Sequence, residues 1–76
     1  MIIPSESVSL KDWANSLIID FNTRDAIPRI DDELKWREWG NVVASSPSFA
    51  NRGVPTTENF LSWQEWGIIL YDTMVK

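Results

Sequence analysis

The 76-residue sequence contains no cysteine and no histidine. Without cysteine no disulfide can staple the fold, and with both residue types missing the usual ligands of structural zinc sites are gone. Their absence also removes the thiol nucleophile and the commonest general base, so catalysis would fall to carboxylates, lysine or serine, and no recognised nucleophile or phosphate-loop spacing occurs. Long hydrophobic runs are missing too. The longest, Leu17-Ile18-Ile19 and Gly67-Ile68-Ile69-Leu70-Tyr71, are far short of the roughly 20 residues that span a bilayer. The N-terminus reaches Pro4 after a brief apolar start and has no basic region, so it does not read as a secretory signal. A soluble chain with no membrane contact is expected. Charge of one sign is not concentrated either. Eleven acids and seven bases give a net charge of −4, and the bases are scattered, which leaves no footprint for nucleic acid.

What the sequence has in excess is tryptophan, five in all. Trp13, Trp39 and Trp66 lie 26 and then 27 residues apart, and each stands in the same setting: an acid, the Trp, a small residue, then aliphatics. The three copies read Asp12-Trp13-Ala14-Asn15-Ser16-Leu17, Glu38-Trp39-Gly40-Asn41-Val42-Val43 and Glu65-Trp66-Gly67-Ile68-Ile69-Leu70. Leu10, Trp36 and Trp63 precede each Trp by three residues, and Leu17, Val43 and Leu70 follow it by four, which is helical periodicity.

Breakers separate the copies: Asn22, Thr23 and Pro28 in the first link; Ser45, Ser46, Pro47, Asn51, Gly53 and Pro55 in the second. Start signals are Ser7 or Ser9 with Asp12, then Asp31 with Asp32 and Glu33, then Thr56 or Thr57 with Glu58. These place helices at about 9–21, 32–45 and 58–75. The fold class is all-α: a small three-helix bundle in one domain, with an extended N-terminal arm (1–8) and a long loop between helices 2 and 3. The faces to be buried are Leu10, Trp13, Ala14, Leu17 and Phe21; Trp36, Trp39, Gly40 and Val43; and Phe60, Trp63, Trp66, Gly67, Leu70 and Met74. Ala14, Gly40 and Gly67 leave room beside each indole for close packing. A solenoid is the competing reading of the period, but three short copies with unlike links favour a closed arrangement.

No catalytic, cofactor or metal residues are assigned. Asp31-Asp32-Glu33 suits a helix start better than a metal. The stretch from Asp20 to Asp31 echoes a calcium loop, but Arg24 and Asp25 stand where a ligand and a glycine belong. The candidate residues are therefore apolar ones left over once a core is assigned. Leu61 and Ile68 fall nearly opposite the core stripe of helix 3, and Val8, Ile19 and Val75 add to the surplus. Ile2 and Ile3, ahead of Pro4, form an arm that either reaches into a neighbour's groove or staples helix 1. Trp36 and Trp63, near helix starts, are the indoles expected to be partly exposed. Phe49, in a link of small polar residues, either caps the core or anchors a partner. The candidate partner-binding set is thus Ile2, Ile3, Trp36, Phe49, Leu61, Trp63 and Ile68. The partner would be a larger protein or further copies of this chain, with no cofactor, nucleic acid or small-molecule substrate.

The segments Asp12 to Leu17, Trp36-Arg37-Glu38-Trp39-Gly40, Phe60 to Trp66 and Tyr71-Asp72-Thr73-Met74 together resemble small uncharacterised proteins of tailed bacteriophages. The resemblance covers most of the chain and rests on Trp spacing. It implies a virion accessory on a capsid, neck or tail, and carries no site residues. Non-enzymatic assembly is the expected role, in the virion or otherwise in the cytoplasm. A small acidic inhibitor or adaptor binding a host enzyme is the alternative; alternation of acids with bases, as in Lys35, Arg37 and Glu38, argues against an acidic mimic of nucleic acid.

Overall fold

The computed structural model describes residues 2–21 and 27–75. The link breakers Asn22 and Thr23, together with Arg24 and Asp25, lie outside the described residues. The elements are α1 (Leu10–Asp20), a 3-10 turn (Glu33–Lys35), α2 (Trp36–Ser45), α3 (Pro47–Ala50) and α4 (Trp63–Val75), with no strand among the described residues.

Ser9 caps α1: its hydroxyl accepts the Asp12 N–H at 3.1 Å, and the helix departs from the expected range by one residue at each end. The other two starts are displaced. Asp32 accepts the Leu34 N–H at 3.0 Å, two residues on, and so nucleates the tight 3-10 turn; α2 begins only at Trp36. For α4 the expected Thr-Glu signal is spent elsewhere. Thr57 donates both its N–H and its hydroxyl to Asn41 Oδ1, each at 2.9 Å, and Thr56 bonds to Glu58. The helix starts five residues later, on a capping box. Ser62 Oγ accepts the Glu65 N–H at 3.3 Å, and Glu65 Oε2 accepts the Leu61 N–H at 2.9 Å. The expected long loop after α2 is interrupted by α3, which Pro47 opens and which packs on α2. Gly53 has φ +86°, a left-handed conformation that glycine adopts without steric cost.

The periodicity marks the core correctly. Of the fifteen expected core positions, Phe21, Trp36 and Phe60 are half-buried and the rest are buried. Trp13, Trp39 and Trp66 form a closed triangle. All three pairs have ring centroids 6.0 Å apart and planes inclined by 78°, 79° and 81°, the edge-to-face arrangement that aromatic pairs favour. Leu17, Val43 and Leu70, the equivalent residues one turn on, are each 0% exposed. The repeat also extends upstream of its Trp: Pro4, Ile30 and Thr57, again 26 and 27 residues apart, are buried. The chain measures 27 × 25 × 23 Å along its principal axes, and Trp13 of the first copy meets Trp66 of the third, a contact that a stacked row would not make.

Gly40 and Gly67 leave room for an indole, as expected, and also for a residue of the segment that leads into the next copy. A Cβ on Gly40 would lie 2.5 Å from Thr57 Cγ2 and 3.4 Å from Trp66 Cη2; one on Gly67 would lie 2.9 Å from Pro4 Cγ and 3.2 Å from Trp13 Cζ2. Each glycine thus receives the lead-in residue and the indole of the next copy around the cycle. The backbone of α2 lies near those of α3 and the 3-10 turn, and the indoles of α1, α2 and α4 meet one another in the core.

Candidate docking surface

The 3-10 turn and the capping turn of α4 stand side by side and enclose an open cleft of about 290 Å³, lined by Glu33, Leu34, Trp36, Leu61, Ser62, Trp63 and Gln64. Its rims are Leu34, 90% exposed, and Leu61, 86% exposed. Both are held outward by local bonds. Asp32 fixes the Leu34 backbone, and the Glu65 carboxylate fixes that of Leu61. At the floor, the Trp63 ring lies 5.5 Å from that of Trp13, and its N–H donates to Glu33 Oε1 at 2.9 Å. Trp36 is half-buried, with the Arg37 guanidinium 4.6 Å above its ring. That guanidinium also donates to the carbonyls of Thr57 and Phe60, tying α2 to the segment ahead of α4.

Leu34 and Leu61, and Trp36 and Trp63, are each 27 residues apart, so the cleft is built from equivalent positions of the second and third copies. The first copy has Val8 and Leu10 there. Val8 is half-buried against the core and Leu10 is 2% exposed. Where the first copy rests Val8 against the core, the other two project Leu34 and Leu61.

The structure brings together Trp36, Leu61 and Trp63 from the sequence-based candidates. Leu34 was missed, because an α-helix from residue 32 obscured its place in a turn; its 27-residue offset from Leu61 was the signal that could have found it. Leu61 lies outside α4, so it does not share a helical stripe with Ile68, and Ile68, 43% exposed, does not line the cleft. Ile2 and Ile3 are 42% and 59% exposed. They precede Pro4, which is packed against Gly67, so the arm is laid across α4 and staples the fold at that point. Two candidates are core residues and offer no exposed ring to a partner. Trp63 is 3% exposed; Phe49 is 0% exposed and meets Phe21 edge-on, with centroids 5.9 Å apart.

A second depression, of about 330 Å³, has Ile30, Trp39 and Val42 at its floor and Arg29, Asp31, Lys35 and Glu38 around it. Among the described residues no three acidic side chains gather as a metal site, and the Asp31-Asp32-Glu33 run is put to structural use: Asp32 caps the turn and Glu33 receives the Trp63 indole. Glu58 has a pKa below its ordinary value, chiefly through the Thr56 hydroxyl bonded to it. No helix among the described residues is long and apolar enough to cross a membrane. The chain matches no protein-family model, no curated protein and no solved structure.

Proposed function

We propose that this chain is a non-enzymatic assembly subunit that docks on a larger protein through the Leu34–Leu61 cleft. The observation that carries this reading is the projection of two leucines, 90% and 86% exposed, from equivalent positions over half-buried and buried indoles. Burying an exposed leucine side chain is worth about 1.5–3 kcal/mol, and the turns that hold these two outward leave that gain to a partner. Rigid local caps also lower the ordering cost of binding. The remaining fold is read as a three-helix bundle whose arm and second link complete a three-copy cycle. The interspersion of the acids with Arg29, Lys35 and Arg37 speaks against an acidic mimic, since such a mimic needs a one-sided field of carboxylates.

The resemblance to small tailed-phage proteins makes a capsid, neck or tail the assembly we propose. Mass spectrometry of purified particles tests that location, since an accessory subunit is expected at fixed stoichiometry and its absence would remove the virion reading. The docking surface is tested by Leu34→Glu combined with Leu61→Glu. Loss of association with its assembly and retention of helicity is the expected outcome, and unimpaired association would discard the cleft.

A further inference from the structure

The second and third copies treat their indoles alike. The Trp39 N–H donates to the carbonyl of Pro28 at 2.7 Å and the Trp66 N–H to that of Pro55 at 2.8 Å, in both cases eleven residues back. Trp13 is equally buried, at 0% exposure, yet its Nε1–H has no acceptor. A buried donor that gives up water without a replacement is costly and rare. Eleven residues before Trp13 stands Ile2.

The first lead-in otherwise follows the same track as the other two. Its third residue, Pro4, is buried as Ile30 and Thr57 are, and it faces Gly67 as Thr57 faces Gly40. The difference lies in the residue that should supply the carbonyl. The rings of Pro28 and Pro55 hold φ near −65° and so restrict where their carbonyls point, whereas Ile2 has both backbone torsions free. In this structure the Ile2 N–H reaches Ser16 Oγ at 3.5 Å, the outer limit of a hydrogen bond, while that hydroxyl donates to the Trp13 carbonyl at 2.7 Å.

We infer that residues 2–4 are a strap with two seats. In the inner seat the Ile2 carbonyl accepts the Trp13 Nε1–H, as Pro28 and Pro55 do for their indoles. In the outer seat, the one described here, the Ile2 N–H rests on Ser16 and the indole N–H stays unpaired. Because the inner seat bonds the arm directly to Trp13, the position of the arm and the tryptophan triangle are coupled. This inference stands apart from the docking cleft and does not depend on it.

The test is two-dimensional NMR of the indole N–H groups in the full chain, comparing Ile2→Pro and Ser16→Ala with the unaltered protein. Ile2→Pro restricts the torsion as in the other copies and removes the N–H of the outer contact; Ser16→Ala removes that contact from the other side, together with the hydroxyl's own bond to the Trp13 carbonyl. Both should move the Trp13 indole proton downfield toward those of Trp39 and Trp66, and Ile2→Pro should slow its exchange on the order of ten-fold, as expected when a buried donor gains a partner. An unchanged Trp13 indole proton in the folded variants overturns the strap. So does a long-lived water bound to that proton in the unaltered chain. If Ile2→Pro does not fold, Ser16→Ala decides.

Discussion

Asn41 and Thr57 are joined twice, because a single oxygen, Asn41 Oδ1, accepts both the N–H and the hydroxyl of Thr57 at 2.9 Å. The bond couples α2 to the lead-in of the third copy, and Thr57 is 1% exposed, so water cannot substitute for the acceptor. The equivalent pair one step around the cycle is Ile68 and Pro4. Proline has no N–H, so an apolar residue opposite it leaves nothing unsatisfied. Asn41→Ala should therefore lower stability by about 1–3 kcal/mol, the cost of leaving the buried Thr57 N–H unpaired, while the Thr57 hydroxyl keeps the Arg37 carbonyl at 3.3 Å. Asn41→Asp, which keeps the acceptor, should lose less. Urea denaturation followed by Trp emission measures both, and equal losses would show that the acceptor is not what matters.

Phe49 and the pair Leu34 and Leu61 should respond oppositely to substitution. Phe49 is fully buried against Phe21, so Phe49→Ala is expected to cost about 3–5 kcal/mol through lost burial and a residual cavity. The two leucines are exposed, and replacing both by Glu should change stability by no more than about 0.5 kcal/mol per site. Thermal melts of the two variants distinguish core from surface. A large loss in the leucine variant would mean that the cleft belongs to the fold.

The contrast explains how far the sequence could be read. Helical periodicity identified the buried faces because it reports a property each residue has within its own turn. It placed Trp13, Leu17, Trp66 and Leu70 correctly without any knowledge of their neighbours. Helix starts were less legible, since Thr57 carries a start signal whose hydroxyl and N–H are taken by Asn41, sixteen residues away. With that signal spent, the S-x-x-E pattern of Ser62 to Glu65 set the boundary, and Leu61 left the helix. Phe49 was ambiguous for the same reason. Its burial depends on Phe21, twenty-eight residues earlier, which no local pattern announces. The cleft could have been reached only by carrying the 27-residue offset from Leu61 back to Leu34.

Glu58 gives a prediction about pH. Its carboxyl is held below the ordinary value, first by the Thr56 hydroxyl and then by its own backbone N–H, with a smaller contribution from Arg37. A carboxylate whose folded-state pKa is depressed adds stability above the unfolded-state pKa, and that contribution fades as pH falls through the folded-state value. The group is fully exposed, so the effect on stability is small, and site-resolved titration is the suitable probe. Thr56→Val should raise the Glu58 pKa toward its ordinary value in a carboxyl NMR titration. An unmoved titration curve would assign the shift to the backbone.

Gly40 provides the most direct test of the cyclic packing. Alanine at an interior helix position gains about 1 kcal/mol of propensity over glycine, so a gain is the default expectation for Gly40→Ala. Here the new Cβ would lie 2.5 Å from Thr57 Cγ2, and Thr57 cannot retreat while Asn41 holds it twice. Overpacking of this kind costs about 1–3 kcal/mol, which outweighs the propensity gain, and Gly40→Ala should destabilise. Thr57→Ser removes the obstructing methyl but keeps both donors. In that background Gly40→Ala should become neutral or stabilising, so the double-mutant cycle should show a favourable coupling of about 1–2 kcal/mol, within the range for residues in contact. Additive effects would mean that the glycine is required for some reason other than the approach of the next copy's lead-in residue.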